Sequence, residues 1–123
     1  MIKANLFQDP HNGSVHLTLY GHANTGEKGR DLLCCAVTTL AYTAAQAMSY
    51  FFELGWLARR PRLLVEEGAA EIIATPLRRY RGEVLQSFWT IQCGLQILCK
   101  NYPENIELET MRLPECKTQT AEC

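Results

Sequence analysis

The sequence lacks several features that would assign it quickly to a class of protein. It has no Cys-x-x-Cys pair, the spacing typical of a structural zinc site, although it contains six cysteines. Its first ten residues, MIKANLFQDP, lack the long apolar core and the small-residue cleavage site of a secretory signal. Without export, free thiols are expected rather than disulfides, so the sequence predicts a cytoplasmic protein with reduced cysteines.

The net charge of the chain also does not point to a class of binding partner. The formal net charge is -1, so we expect no direct binding to nucleic acid and no attraction to a membrane surface. Residues 32–52 carry no charge, and a stretch of this length is long enough to span a bilayer. It also contains polar side chains, namely Thr38, Thr39, Thr43, Gln46 and Ser49. We therefore favour a helix that is buried inside the domain or against a second subunit.

Alternating apolar residues and turn signals divide the chain into short elements. Strands are predicted at residues 1–7, 14–20, 62–65, 70–75 and 106–113, and a loop is predicted at residues 76–82. Helices are predicted from about residue 31 to 54 and from 83 to 100. The order ββαββαβ predicts a single α+β domain over residues 1–113, with two helices packed on a mostly antiparallel sheet. The polar residues 114–123 are predicted to form a disordered tail.

The stretch GHANTGEKGRDLLCC, residues 21–35, carries the residues best suited to chemistry. Gly21, Gly26 and Gly29 predict a loop with special backbone angles, mobility or close approach to a ligand. His22 precedes Cys34 by twelve residues, and a folded loop can bring them together. An imidazole and a helix N-terminus both favour a thiolate, which is the nucleophilic form of cysteine. His22 and Cys34 are therefore candidate catalytic residues.

Each of these side chains also has an ordinary structural interpretation. Cys34 can be a small core residue. Cys35 lies beside it in the first turn of the helix and could be reactive for the same reason, but its side chain points about 100° around the helix. Asp31 can orient His22 or cap the helix, and its spacing alone favours capping. The Thr38 hydroxyl can orient a substrate or the imidazole, or it can bond to the helix backbone. Zinc binding by the histidine and the two cysteines lacks a fourth ligand, so no metal or cofactor is predicted.

Two short runs of arginine lie outside this stretch, and they comprise Arg59, Arg60, Arg62, Arg78, Arg79 and Arg81. By default they form a solvated rim, and the alternative is a surface for an acidic partner. The sequence assigns no role to Cys93, Cys99, Cys116 or Cys123.

The loop motif resembles that of the ribosomal-processing cysteine protease family, Prp. The residues that carry the resemblance are Gly21, His22, Ala23, Gly26, Gly29, Asp31, Cys34 and Ala36. The resemblance implies the ββαββαβ order and a catalytic dyad of His22 and Cys34. Cys35 stands where the family usually has a small apolar residue. Thr38 replaces a serine that is typical of the family, which keeps the hydroxyl but leaves its role open.

The resemblance implies endoproteolysis. Members of the family remove a short N-terminal extension from a large-subunit ribosomal protein of the L27 type, and they are typically homodimers. The expected partners are thus a ribosomal protein precursor and a second copy of the chain, with the glycine loop ordering around the substrate. Two other functions remain open. One is a non-enzymatic ribosome-associated binding or assembly module that uses the arginines, and the other is a thiol redox sensor built on Cys34 and Cys35.

Overall fold

A computed structural model describes residues 1–22 and 31–111 of the chain. Its elements are β1 (Ile2–Gln8), β2 (Val15–Tyr20), α1 (Leu32–Glu53), β3 (Arg62–Glu66), β4 (Ala69–Ala74), α2 (Arg81–Asn101) and β5 (Ile106–Met111). The predicted ββαββαβ order and α+β class are confirmed. The loop predicted at residues 76–82 is partly wrong, because a 3-10 helical turn at Arg78–Tyr80 runs directly into α2. The predicted tail at 114–123 lies outside the described residues.

The five strands form one sheet in the order β3-β4-β2-β1-β5. Both predicted hairpins are present and antiparallel, and β2 pairs antiparallel with β4. Of the five strands described, only β5 runs parallel to its neighbour, β1. The two strands begin at the same end of the sheet, where Ile2 pairs with Ile106. The sheet is therefore mostly antiparallel, as the sequence predicts.

The core lies between the sheet and the two helices. In β1 and β2 every second residue is buried, starting from Ile2 and Val15, as period-two alternation requires. Each of the two helices contributes its own apolar stripe to the core. In α2 the stripe consists of Val84, Phe88, Ile91 and Leu95, with Leu98 partly buried beside it. The helical spacing seen in the sequence thus identified the face of α2 that packs on the sheet.

Helix α1 is buried along one stripe only. Its buried residues are Leu33, Val37, Ala41, Ala44 and Met48. On its outer side Tyr42 and Tyr50 are 56% and 58% exposed, and Leu32 is 73% exposed. By length and composition, α1 is also a helix that could cross a membrane, a test that core helices pass as well. A single copy of the chain therefore leaves much of this helix uncovered, although it carries no charge before Glu53 at its last position.

The connectivity gives the domain two distinct ends. At the first, which we call the pocket end, β2 finishes, the β3–β4 hairpin turns and α1 begins. At the second, α1 finishes and α2 begins, and both arginine runs converge there. The Ala58 N–H donates to the Thr75 carbonyl over 2.7 Å, and the Leu77 N–H donates to the Trp56 carbonyl over 2.8 Å. We call this the arginine end, after the six arginines named above.

Candidate active site

Gly21 places His22 at the edge of the sheet. Its φ angle of +106° is one that side-chain-bearing residues rarely adopt, and a Cβ there would lie 2.2 Å from the Met1 carbonyl oxygen. The Gly21 N–H donates to the Gly68 carbonyl over 3.0 Å. The carbonyl of His22 itself accepts a hydrogen bond of 2.7 Å from the Met1 nitrogen. These contacts hold the backbone on both sides of the histidine.

Asp31 sets where α1 starts and therefore where Cys34 lies. It is the N-cap residue, with an extended backbone, and its Oδ1 accepts the Cys34 N–H over 3.0 Å. Its carbonyl accepts the Cys35 N–H, also over 3.0 Å. The capping role that the spacing favoured is thus present in the structure. Cys34 lies in the first helical turn and is half-buried, whereas Cys35 is exposed.

A cavity of about 390 Å³ opens between the start of α1 and the β3–β4 hairpin. The candidate side chains of His22, Asp31, Cys34 and Thr38 all line it, and Cys35 does not. The inner part of the cavity is apolar and includes Leu19, Val37, Ala41 and Ala70. The structure therefore brings together the described residues that the sequence singled out. Gly26 and Gly29 lie outside the described residues.

Thr38 differs from the threonines that follow it. The hydroxyls of Thr39 and Thr43 donate to backbone carbonyls four residues earlier, over 2.9 and 2.7 Å. Thr38 is exposed on the cavity wall, and no such bond is found for its hydroxyl within residues 1–22 and 31–111. Its hydroxyl is therefore available to a molecule that enters the cavity.

The tip of the β3–β4 hairpin is the part of the site that sequence reasoning missed. Glu66, Glu67 and Gly68 line the cavity opposite Cys34, yet in the sequence they indicate only a turn. The tip reaches the cavity that His22 lines because β4 pairs with β2 in the register that joins Tyr20 to Ala69. Since that pairing links distant parts of the chain, no local pattern indicates it. Along the described part of the lining the charged side chains are carboxylates, those of Asp31, Glu66 and Glu67.

The other described cysteines lie away from the cavity. Cys93 is exposed on α2, and the half-buried Cys99 places its Sγ 3.8 Å from the Ile106 carbonyl oxygen. Burial raises the pKa of the Cys99 thiol, which disfavours its thiolate. No group of three or more His, Cys, Asp or Glu side chains within the described ranges could hold a metal ion. Cys116 and Cys123 are beyond those ranges.

Comparison with known proteins identifies the family. The family described as "Cysteine protease Prp" matches residues 1–107 of the chain. The chain belongs to the Prp family. The resemblance seen in the loop motif is therefore confirmed, and it extends over nearly the whole described domain. No curated protein matches the chain.

Solved structures with the same fold include Prp itself. The essential ribosomal processing protease Prp from S. aureus, with a covalently linked product peptide, is 24% identical, with a TM-score of 0.68 over 90% of this chain and 100% of that one. The same enzyme with a substrate peptide is 23% identical, with a TM-score of 0.64 and the same coverage. SMU.848 from Streptococcus mutans is 24% identical, with a TM-score of 0.64 over 90% of this chain and 94% of that one. At these identities the structures show a shared fold.

Proposed function

We propose that the chain is a cysteine endopeptidase that works through a dyad of His22 and Cys34. One observation carries the proposal: both side chains line the same cavity, at the start of a capped helix, in a member of the Prp family. The apolar inner wall beside Cys34 suits the side chain of a bound peptide. The exposed edge strand β3, next to the cavity, leaves room for an extended chain.

In this mechanism the His22 imidazole takes the proton from the Cys34 thiol, and the thiolate attacks the scissile carbonyl. The imidazolium then gives its proton to the leaving amine, which breaks the peptide bond and leaves an acyl-enzyme. A water molecule, deprotonated by His22, releases the acyl group and restores the thiol. Thr38 would orient the substrate or the imidazole.

The negative oxygen of the tetrahedral intermediate needs hydrogen-bond donors. The N–H groups at the start of α1 are the obvious source, but those of Cys34 and Cys35 already donate to Asp31. The oxyanion donors are therefore expected from other groups around the cavity.

The proposed substrate is the precursor of a large-subunit ribosomal protein of the L27 type, trimmed at its N-terminus in the bacterial cytoplasm. The S. aureus relative is a ribosomal processing protease whose complexes hold substrate and product peptides, which supports this assignment. The precursor is the expected partner, and neither a cofactor nor a metal is part of the proposal.

We further propose a homodimer that covers the outer side of α1. The exposed apolar side chains there include Leu32, Tyr42, Tyr50 and Leu54. Exposed apolar residues grouped on a helix that carries no charge over residues 32–52 are typical of a protein interface. Sedimentation of the purified protein at several concentrations tests the dimer directly.

The first experiment is cleavage of the organism's own ribosomal protein precursor, read by intact mass. Wild type is compared with Cys34→Ala and with Cys35→Ala, which removes the adjacent thiol outside the cavity. We expect a defined N-terminal trim with wild type and Cys35→Ala, and none with Cys34→Ala. A binding module would keep its function in Cys34→Ala, and a redox sensor would need Cys35. Failure of folded wild type to trim a precursor that carries an extension would overturn the proposal.

A further inference from the structure

The tip of the β3–β4 hairpin lies directly against the imidazole of His22. A Cβ built on Gly68 would stand 2.9 Å from His22 Nε2 and 3.1 Å from its Cε1. Real Cβ atoms do not come within 3.0 Å of another heavy atom, so a side chain at this position requires the ring to move. The absence of a side chain at Gly68 therefore leaves room for the imidazole beside the hairpin tip.

Gly68 also holds the backbone that carries the ring. Its carbonyl accepts the N–H of Gly21, the residue before the histidine, over 3.0 Å. This bond continues the β2–β4 pairing one step beyond Tyr20 and Ala69. One residue thus contacts both the main chain next to His22 and the imidazole itself.

We propose that Gly68 is a positioning residue for His22. Its carbonyl anchors the loop at Gly21, and its missing side chain allows the imidazole to lie close to the hairpin, at the cavity that Cys34 also lines. Gly68 supplies no group that reacts, and it acts on catalysis only through the position of His22. The consequence for catalysis rests on the proposed function, whereas the effect on the imidazole does not.

The chain contains a matched control for this proposal. Gly55, after α1, has a φ of +81°, nearly equal to the +79° of Gly68. A Cβ on Gly55 would meet nothing within 4 Å. Alanine at either position therefore suffers the same backbone strain, and only alanine at Gly68 displaces a neighbouring side chain.

The experiment compares Gly68→Ala with Gly55→Ala by three measurements. Both variants should lower the urea midpoint by similar amounts. Only Gly68→Ala should lower kcat for precursor cleavage, by at least about tenfold with KM little changed, because small misplacements of a catalytic group are costly. Only Gly68→Ala should shift the His22 ring signals in NMR spectra and alter the pH profile of Cys34 alkylation by iodoacetamide.

Equal behaviour of the two variants in the NMR and alkylation measurements would overturn the proposal. If wild type cleaves no precursor but Gly68→Ala alone changes those two readouts, the positioning role stands and the protease assignment fails. Should Gly68→Ala not fold, the pair Gly68→Asn and Gly55→Asn repeats the comparison, because asparagine adopts a positive φ more readily while still carrying a Cβ.

Discussion

The two ends of the domain use their polar side chains in opposite ways. At the pocket end, His22, Cys34 and Thr38 line an open cavity. At the arginine end, the polar side chains mostly contact other parts of the same chain. The difference indicates where chemistry is possible: a group already engaged by the fold stabilises it, whereas a group that faces a cavity can act on another molecule.

Five of the six arginines at the arginine end have such internal contacts. The Arg59 guanidinium donates to Thr75 Oγ1 over 3.3 Å, and that of Arg81 donates to the His11 carbonyl over 3.1 Å. Arg62 forms an ion pair with Glu71. The remaining two lie over aromatic rings, Arg60 at 4.8 Å from the centroid of Phe52 and Arg79 at 5.0 Å from that of Tyr80. Most of these arginines are exposed, as a solvated rim would be, and two of them also cover aromatic side chains.

The aromatic stack at the arginine end offers the largest test of this contrast. Trp56 lies between Phe51 and Tyr80, with both centroid distances 4.9 Å. Trp56→Ala should lower the free energy of unfolding by about 2–4 kcal/mol, since a large ring and its stacking partners are lost. Cleavage per folded molecule should stay within about twofold of wild type, because Trp56 does not line the cavity.

Urea denaturation followed by circular dichroism at 222 nm measures this loss, since the substitution itself removes a fluorophore. Trp56→Phe serves as the control, because it keeps a ring between Phe51 and Tyr80 and should recover much of the stability. A Trp56→Ala protein that is stable but fails to cleave would break the contrast, as it would link the arginine end to the chemistry.

Asp31 offers a smaller test, at the pocket end itself. Asp31→Ala removes the N-cap of α1 and should cost about 1 kcal/mol of stability. Asp31→Asn should retain nearly all of it, because asparagine caps about as well as aspartate. If capping is the whole role of Asp31, the Asn variant also retains cleavage, measured with the precursor substrate. A stable but inactive Asp31→Asn protein would instead indicate that the carboxylate orients His22.

Local patterns in the sequence predicted much of the fold. The stripe from Val84 to Leu95 identified α2 and its buried face, because a period of 3.6 residues is visible in any single helix. Alternation did the same for β1 and β2, and the spacing of Asp31 before Cys34 predicted the cap. In each case the physical cause lies within a few residues of the effect.

Contacts between distant segments were not predictable in this way. The sequence offered no reason to place Gly68 against His22, because that contact depends on the pairing of β2 with β4. The convergence of the two arginine runs depends in the same way on the short bridge between Leu57 and Pro76. The candidate residues themselves were recognisable, but the surroundings that position them required the tertiary structure.

The smallest expected effect concerns His16, which lies on β2 towards the arginine end. Its ring stacks on Phe7 at 4.2 Å, and its Nε2 lies 3.3 Å from the Ser14 hydroxyl, which accepts a hydrogen bond of 3.2 Å from Thr75. Partial burial lowers the pKa of His16 from its ordinary value of 6.5, against the opposing charges of Asp9 and Glu71. The folded protein therefore binds a proton here less readily than the unfolded chain.

The sign of the pH dependence follows from that difference. The contribution of His16 to stability is complete above the unfolded pKa of 6.5 and is lost as the pH falls through the lower pKa of the folded state. Urea midpoints measured between pH 7.5 and 5.5 should thus fall in wild type and fall less steeply in His16→Gln. An unchanged slope in His16→Gln would mean that its imidazole is solvated as well as that of an unfolded chain, which its stacking on Phe7 argues against.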